Sequence, residues 1–279
     1  GEIAEIKSDG NGLPNPSAPP ARSAIQACGI NDPQGITFNS EDGRLFVLDA
    51  GNAQIVSVAP HPTLGFDANE AIRSNMLERI SLRGLGAGTF RGIAFDPSSG
   101  HLYIAQPDQK RLYELTQAGE LVSTIDLTSF GINNLTAMTF APSVDTTDDP
   151  NTTSLYILDT GEAAKAANSA QETTSSDSRI VELSLAVAEA LPPGTSLLPT
   201  TLVHIIDASN AAWNPSAPDT TGIDYWPLTG NLLITDSEVE EMPPYWQGSN
   251  VFQSTLSGDL VSTCTTLPFT KEPTGLAIN

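Results

Sequence analysis

The sequence is short of basic residues and of long apolar runs. Its 279 residues include 12 lysines and arginines against 33 aspartates and glutamates, which gives a formal net charge of −21 at pH 7. A surface of this charge repels nucleic acid and anionic membranes and attracts cations. Because no run of about 18 apolar residues occurs, we expect no membrane span. We also expect no nucleic-acid partner.

The familiar catalytic motifs are also missing. The sequence contains no G-x-S-x-G, H-E-x-x-H or C-x-x-C, and it has neither an EF-hand loop nor an RTX nonapeptide. Serine–histidine hydrolysis, zinc proteolysis and dithiol chemistry therefore have no visible set of residues. The sequence favours a protein without a nucleophile and base pair.

Short apolar runs separated by turn residues are what the chain does contain. The segment from Thr89 to Leu127 holds four of them, which are Gly92–Phe95, Leu102–Ala105, Arg111–Leu115 and Leu121–Ile125. Tight-turn residues such as Asp96-Pro97-Ser98-Ser99-Gly100 separate the runs, and each run is too short for a helix. The segment predicts a four-stranded antiparallel meander.

The unit recurs along the chain. Its first run is repeated with starts at Gly35, Gly92, Ala137, Gly222 and Gly275. We expect repeats that begin near residues 32, 89, 134, 219 and 272, which makes four full repeats and the start of a fifth. A Pro/Gly/Ser-rich arm or linker over residues 1–31 precedes them.

The second run of each repeat is apolar at successive positions, so both of its faces must be buried. Small sheets that pack between two neighbours meet this condition, and they are typical of a β-propeller. We therefore predict an all-β fold, with one propeller domain of four-stranded antiparallel blades over residues 32–279. It would have five or six blades if the polypeptide continues beyond Asn279. A β-sandwich is the alternative, and it would show a cleaner alternation of apolar and polar residues.

The motif G-I-x-F, a Pro or Gly turn, L-Y-I and a strand such as R-L-Y-E-L resembles the NHL-type and phytase/esterase-like propellers of secreted bacterial proteins. The resemblance runs from Asp32 to Asn279. It implies a propeller fold and an extracellular or cell-surface location. It does not choose an activity, because this architecture hosts lactonases, phosphatases, lyases and binding modules.

Acidic residues recur at one end of the predicted blades. The positions after the second run and before the first run should meet there, and they are Asp49, Gln106, Asp159 and Asp236, and Asp32, Arg91, Asp219 and Glu272. Clustered carboxylates favour a hard cation such as Ca²⁺. The predicted calcium ligands are Asp236, Glu238, Asp49, Asp159 and Glu272. The alternative is that each aspartate only caps a loop by accepting backbone N–H groups.

Two further pairs of residues are candidates for a role. Tyr245 and Trp246 lie in an acidic loop, where exposed aromatic side chains often contact a ligand. Cys28 and Cys264 each precede the first strand of a repeat, so a closed ring would bring them together and we expect a disulfide between them. Two unrelated buried thiols are the alternative.

These observations favour a secreted, non-catalytic propeller module for adhesion, ligand binding or extracellular assembly, associated with calcium. Its expected partner is a protein or a glycan. Self-association is also expected, because an arm containing Ile3 and Ile6 can add a strand to a neighbour's open sheet edge. The alternative function is a calcium-dependent hydrolase of the esterase, lactonase or phytase-like type, in which the metal polarises a carbonyl or phosphoryl oxygen.

Overall fold

The chain folds into four small antiparallel sheets and an N-terminal hairpin. The structure, a computed structural model, describes every residue except 1, 10–12, 16, 61–75, 146, 148–151, 162–177, 186–196, 209–211 and 244. Apart from strands, the described residues form only 3-10 turns of three or four residues. Within the same ranges, no helix is long and apolar enough to pass through a membrane.

The first two sheets, blades 1 and 2, follow each other directly in sequence. Blade 1 consists of β3 (Pro33–Asn39), β4 (Arg44–Asp49), β5 (Gln54–Val58) and β6 (Leu77–Ser81). Blade 2 consists of β7 (Arg91–Asp96), β8 (His101–Gln106), β9 (Arg111–Leu115) and β10 (Leu121–Asp126). Each strand pairs with the next one along the chain.

Blades 3 and 4 repeat this order. Blade 3 consists of β11 (Leu135–Pro142), β12 (Thr153–Asp159), β13 (Arg179–Leu185) and β14 (Thr200–Asp207). Blade 4 consists of β15 (Thr220–Trp226), β16 (Asn231–Asp236), β17 (Val251–Ser254) and β18 (Leu260–Cys264). The predicted propeller of four-stranded antiparallel blades is therefore confirmed.

The double burial of the second strand is clear in β8. Leu102 and Ile104 pack in the core shared with blade 1, while Tyr103 and Ala105 pack in the core shared with blade 3. Alternate side chains of a strand point to opposite faces, so a strand between two blades must be apolar at every position. Each fully buried leucine or isoleucine side chain contributes about 1.5–3 kcal/mol.

The innermost strands β3, β7, β11 and β15 lie side by side in this order. Each has a register irregularity near its start, at or just before the first residue of the G-I-x-F motif or its equivalent. The glycine of this motif allows the close approach of the next inner segment. A Cβ atom on Gly35 would lie 3.0 Å from the backbone nitrogen of Ile93, and one on Gly222 would lie 2.9 Å from that of Leu276.

The C-terminal segment lies between the inner strands of blades 4 and 1. The backbone N–H of Ile278 donates to Asp224 of β15 at 2.6 Å, and Oγ1 of Thr221 donates to the carbonyl of Pro273 at 2.8 Å. On the other side, a Cβ atom on Gly275 would lie 3.2 Å from Ile36 of β3. The predicted first strand of a fifth repeat therefore occupies an inner position, but it forms no hydrogen-bonded strand.

The N-terminal arm is built into the fold. It forms a hairpin of β1 (Glu2–Glu5) and β2 (Ala21–Ala24), followed by a 3-10 turn over Ile25–Cys28. Ile25, Cys28 and Ile30 are buried against Leu45, Val47, Val56 and Val58, and Ile3 packs against the same cluster. This cluster covers the face of blade 1 that is turned away from blade 2. The arm thus takes the place that a neighbouring blade holds elsewhere in the ring.

We expect Ile25→Ala to lower the free energy of unfolding by about 2–5 kcal/mol, because it leaves a cavity in this cluster. Ile25 is 4% exposed. Urea unfolding measures the change, and Ile205→Ala is the matched control, since Ile205 is 41% exposed on β14. The control should cost less than about 1 kcal/mol. Equal and small effects at both positions would contradict a structural role for the arm.

Candidate functional site

The aspartate that ends the second strand of blade 1 is fully buried. The carboxylate of Asp49 accepts the backbone N–H groups of Asn31 and Asp32 at 3.2 and 3.0 Å, and the side-chain amides of Asn52 and Gln54 at 2.6 and 2.9 Å. Burial acts to raise the pKa of Asp49, but these hydrogen bonds outweigh it and hold the pKa below its usual value. The charged carboxylate ties the end of β4 to the loop that enters β3.

Asp159 makes the same connection in blade 3. It is fully buried and accepts the backbone N–H groups of Asn133, Asn134 and Gly161 at 3.1, 2.8 and 3.2 Å. Arg179 adds an ion pair, with its Nε and a terminal guanidinium nitrogen at 3.0 and 2.8 Å from one carboxylate oxygen. The oxygens of Asp159 are thus taken up by protein donors.

Asp236 completes the pattern in blade 4. Its carboxylate accepts the backbone N–H groups of Asp219, Glu238 and Val239 at 2.7, 3.2 and 2.9 Å, and the residue is fully buried. Burial raises the pKa of Asp236 to about 6, although the backbone hydrogen bonds act in the opposite direction. The geometry matches loop capping, which was the alternative interpretation of these aspartates.

Blade 2 has Gln106 at the equivalent position, and here the side chain donates the hydrogen bond to the loop. Its side-chain amide donates to the carbonyl of Ala87 in the loop that enters β7, at 3.1 Å. Its side-chain oxygen accepts the hydroxyl of Tyr113 at 2.9 Å. Gln106 has no carboxylate to bind a metal, yet it connects the end of the second strand to the loop that enters the blade, as the aspartates do. This indicates that the position is structural in all four blades.

The predicted calcium ligands are not brought together as one site. Asp49, Asp159 and Asp236 belong to three different blades and are engaged as described, whereas Glu238 and Glu272 are exposed. Among the residues that the structure describes, no group of three or more His, Cys, Asp or Glu side chains is arranged to hold a metal ion. The sequence pattern had placed these residues correctly at one end of the blades, but the side chains do not converge.

Glu238 nevertheless lies in a cluster of like charges. The pKa of Glu238 is raised first by the nearby charge of Asp219, then by burial, and then by Glu241, Glu272 and Glu240. We call these five residues the acidic patch. Burial raises the pKa of Asp219, and the positive charge of Arg91 acts to lower it. Arg91 therefore opposes the negative potential of the patch. The patch is a region of negative potential without the fixed geometry of a metal site.

The two predicted aromatic contacts differ in exposure. Tyr245 is 7% exposed, so its side chain is part of the interior and is not a surface anchor, which corrects the prediction for this residue. Trp246 is half-buried. The backbone N–H groups of both residues donate to the carbonyl of Met242, at 2.9 and 3.0 Å. Trp246 alone keeps part of its ring at the surface.

The predicted disulfide between Cys28 and Cys264 is not formed in the structure, where both residues are free thiols. Cys28 is buried in the cluster beneath the N-terminal arm, and burial raises its pKa while Arg79 acts to lower it. Cys264 ends β18, and burial together with the charge of Asp9 raises its pKa to about 12. The two cysteines pack in separate surroundings, as in the alternative of unrelated thiols.

Sequence reasoning missed a buried polar group in blade 2. Glu114 is 3% exposed, and its two carboxylate oxygens bind Nδ1 of His101 at 2.7 Å and Oγ of Ser123 at 2.5 Å. Histidine and serine contact opposite oxygens of the carboxylate, so the arrangement differs from a nucleophile activated by a base. Glu182 of blade 3 occupies the same repeat position and is also buried. The signal in the sequence was a glutamate inside an apolar third strand.

We expect Asp236→Asn to destabilise the protein by about 1–3 kcal/mol at pH 7, because an amide group would face a backbone N–H donor. The loss should be greater at pH 4. A folded-state pKa near 6, above the unfolded value, means that the wild type is most stable below about pH 4 and loses this contribution as the pH rises through 6. The wild-type advantage should thus shrink by up to about 3 kcal/mol between pH 4 and pH 7.

Urea unfolding of both proteins at the two pH values measures this difference. Glu120→Gln is the control, because the Glu120 side chain is exposed and lies outside the acidic patch. An advantage of the wild type over Asp236→Asn that does not change with pH would contradict the raised pKa of Asp236.

No protein-family model and no curated protein matches the chain. Among solved structures, it is similar to a gluconolactonase from Xanthomonas campestris, with 11% identity and a TM-score of 0.47, over 90% of this chain and 68% of that one. It is also similar to a chain in the crystal structure of a nidogen/laminin complex, with 14% identity and a TM-score of 0.46, over 88% of this chain and 84% of that one. Likenesses at this level do not bear on function.

Proposed function

We propose that the chain is a secreted, non-catalytic β-propeller module that binds a protein or glycan ligand in adhesion or extracellular assembly. The observation that carries this proposal is the use of the strand-end aspartates. Asp49, Asp159 and Asp236 are fully buried and accept two or three backbone N–H groups each. Carboxylates engaged in this way hold loops in place, and the oxygens that a catalytic metal would require are already bonded.

The charge of the chain supports a module that works in a salty or extracellular medium. With 33 acidic and 12 basic residues, it carries a net charge of −21. A high net charge keeps a protein soluble and repels nucleic acid and anionic membranes. Recognition of a neutral or partly cationic protein, or of a glycan, is compatible with this surface.

Assembly through the N-terminal arm is the weaker part of the proposal. β1 pairs with β2 of the same chain, and Ile3 packs against the cluster on blade 1. The arm is thus engaged within its own chain, and self-association through it would require two copies to exchange their hairpins. Binding of a different partner needs no such rearrangement.

The acidic patch keeps one alternative open, a calcium-dependent hydrolase. Its exposed members Glu238 and Glu272 offer oxygen ligands for a cation that would polarise a carbonyl or phosphoryl oxygen. Repulsion from the neighbouring carboxylates raises the pKa of Glu238, and a bound cation would relieve that repulsion. Calcium association is proposed at the patch alone, without Asp49, Asp159 and Asp236.

We expect no turnover of aryl esters, lactones or phosphomonoesters by the purified protein in millimolar calcium. Release of product, followed by absorbance and by pH-stat titration, tests this directly. Turnover that disappears in the double variant Glu238→Gln/Glu272→Gln would replace the binding module by the hydrolase. Without calcium, the melting temperature of this variant must be no lower than that of the wild type, so that a loss of turnover is not a loss of fold.

We expect millimolar calcium to raise the melting temperature by a few degrees relative to chelator, because an ion that binds only the folded state stabilises it by mass action. The shift should be lost in Glu238→Gln/Glu272→Gln. It should persist in Glu41→Gln/Glu120→Gln, which removes the same charge from exposed positions outside the patch. An identical melting curve with calcium and with chelator would remove calcium from the proposal.

A further inference from the structure

A polar groove opens on blade 1, next to the 3-10 turn that ends the N-terminal arm. Its volume is about 380 Å³, within the usual range for small-ligand sites. Polar side chains line it from the loop before β3, from the 3-10 turn and strand start that follow β4, and from β6 and the 3-10 turn after it. These are Asn31, Asn52, Gln54, Arg79, Ser81 and Arg83. No sequence motif marks the groove, because its residues come from three separate segments.

The charge of the groove is opposite to that of the chain. None of the described residues that line it is acidic, whereas two of the 12 basic residues of the protein, Arg79 and Arg83, line it. The two arginines give the groove a positive charge in a chain of net charge −21. Guanidinium groups bind planar oxyanions through paired N–H donors. The groove therefore suits an anionic group.

Two of the three carboxamides in the groove, those of Asn52 and Gln54, are oriented by the buried Asp49. The amide nitrogens of Asn52 and Gln54 donate to the same oxygen of Asp49, at 2.6 and 2.9 Å. A carboxylate accepts only from the nitrogen side of an amide, so the direction of both groups is set. Their carbonyl oxygens take no part in these two bonds and can accept hydroxyl groups. The groove thus combines N–H donors for an oxyanion with acceptors for the hydroxyl groups of a ligand.

The sheet register places the arginine and the hydroxyl of β6 beside these amides. Ser81 pairs with Gln54, and Arg79 pairs with Val56 two residues further along the same face. The guanidinium of Arg79 is anchored by one hydrogen bond to the carbonyl of Cys28 at 2.7 Å. Within the described part of the chain this is its one hydrogen bond, and its other N–H groups can meet a ligand. Arg83 is exposed in the 3-10 turn that follows β6.

Asp49 beneath the groove carries one negative charge, against the two positive charges of Arg79 and Arg83. Its carboxylate is fully buried and accepts four hydrogen bonds from protein groups, so it does not itself contact a ligand. A ligand in the groove would meet the far ends of the Asn52 and Gln54 amides and the two guanidinium groups. These are the groups that set its specificity.

We propose that this groove binds an acidic carbohydrate, in which one carboxylate or sulfate group contacts Arg79 and Arg83 and neighbouring hydroxyls donate to Asn52 and Gln54. The inference rests on the proposed binding function and names a ligand class for it. The two anionic groups share the same oxyanion chemistry. Neutral sugars would lose the contacts with the arginines and should bind more weakly.

Isothermal titration calorimetry with digalacturonate, galactose 6-sulfate and methyl galactoside tests the proposal. We expect at least one acidic sugar to bind the wild type, and the neutral sugar to bind at least tenfold more weakly. Arg83→Gln should weaken the acidic sugar at least fivefold. Arg111→Gln is the matched control, since Arg111 is also an exposed arginine but lies in blade 2. It should bind like the wild type.

Binding should also weaken as the salt concentration rises, because exposed charges are screened. The melting temperature of Arg83→Gln must match that of the wild type, which separates loss of contact from loss of fold. Tighter binding of digalacturonate would identify a carboxylate as the preferred anionic group, and tighter binding of the sulfated sugar would identify a sulfate. No binding of either acidic sugar, or equal binding by Arg83→Gln, would overturn the inference. Either result leaves the hydrolase assay to decide the proposed function separately.

Discussion

The fold depends on the burial of both faces of each small sheet. Phe46 and Leu48 of blade 1 share a core with blade 2, Leu155 and Ile157 of blade 3 share another with blade 2, and blade 4 closes against blade 3. No blade can bury its two faces alone, so each is stable only beside its neighbours. The N-terminal arm follows from the same constraint, because it covers the apolar face of blade 1 that no blade covers.

A second constraint concerns the buried polar side chain at the end of the second strand of each blade. A buried polar group must find partners, and here it finds them in the loop that enters the same blade. Asp49, Asp159 and Asp236 accept backbone N–H groups, and Gln106 donates to a carbonyl instead. These ties set the paths of the loops at the end of the ring where propeller residues from different blades meet. In this protein they leave the exposed acidic patch and the groove on blade 1 as the surfaces with distinctive chemistry.

The groove also shows how one buried group can both hold a loop in place and orient side chains at the surface. Asp49 fixes the loop before β3 and, through the same carboxylate, directs the amides of Asn52 and Gln54. A side chain that is inaccessible to a ligand thereby shapes what the surface presents to one. The neighbouring Arg79 holds the carbonyl of Cys28 in the 3-10 turn of the arm, which links the groove to the packing of the N-terminal segment.

The sequence by itself determined the strands, their order and their antiparallel pairing, because apolar runs such as Leu102–Ala105 and the turns between them are local signals that match one architecture. It also determined which residues lie at the same end of the blades. Only the tertiary structure decided what those residues do. Whether Asp236 meets a metal or three backbone N–H groups, whether Tyr245 faces solvent, and whether Cys28 meets Cys264 depend on distances between segments far apart in the chain. Such distances follow from packing, and no spacing along the sequence encodes them.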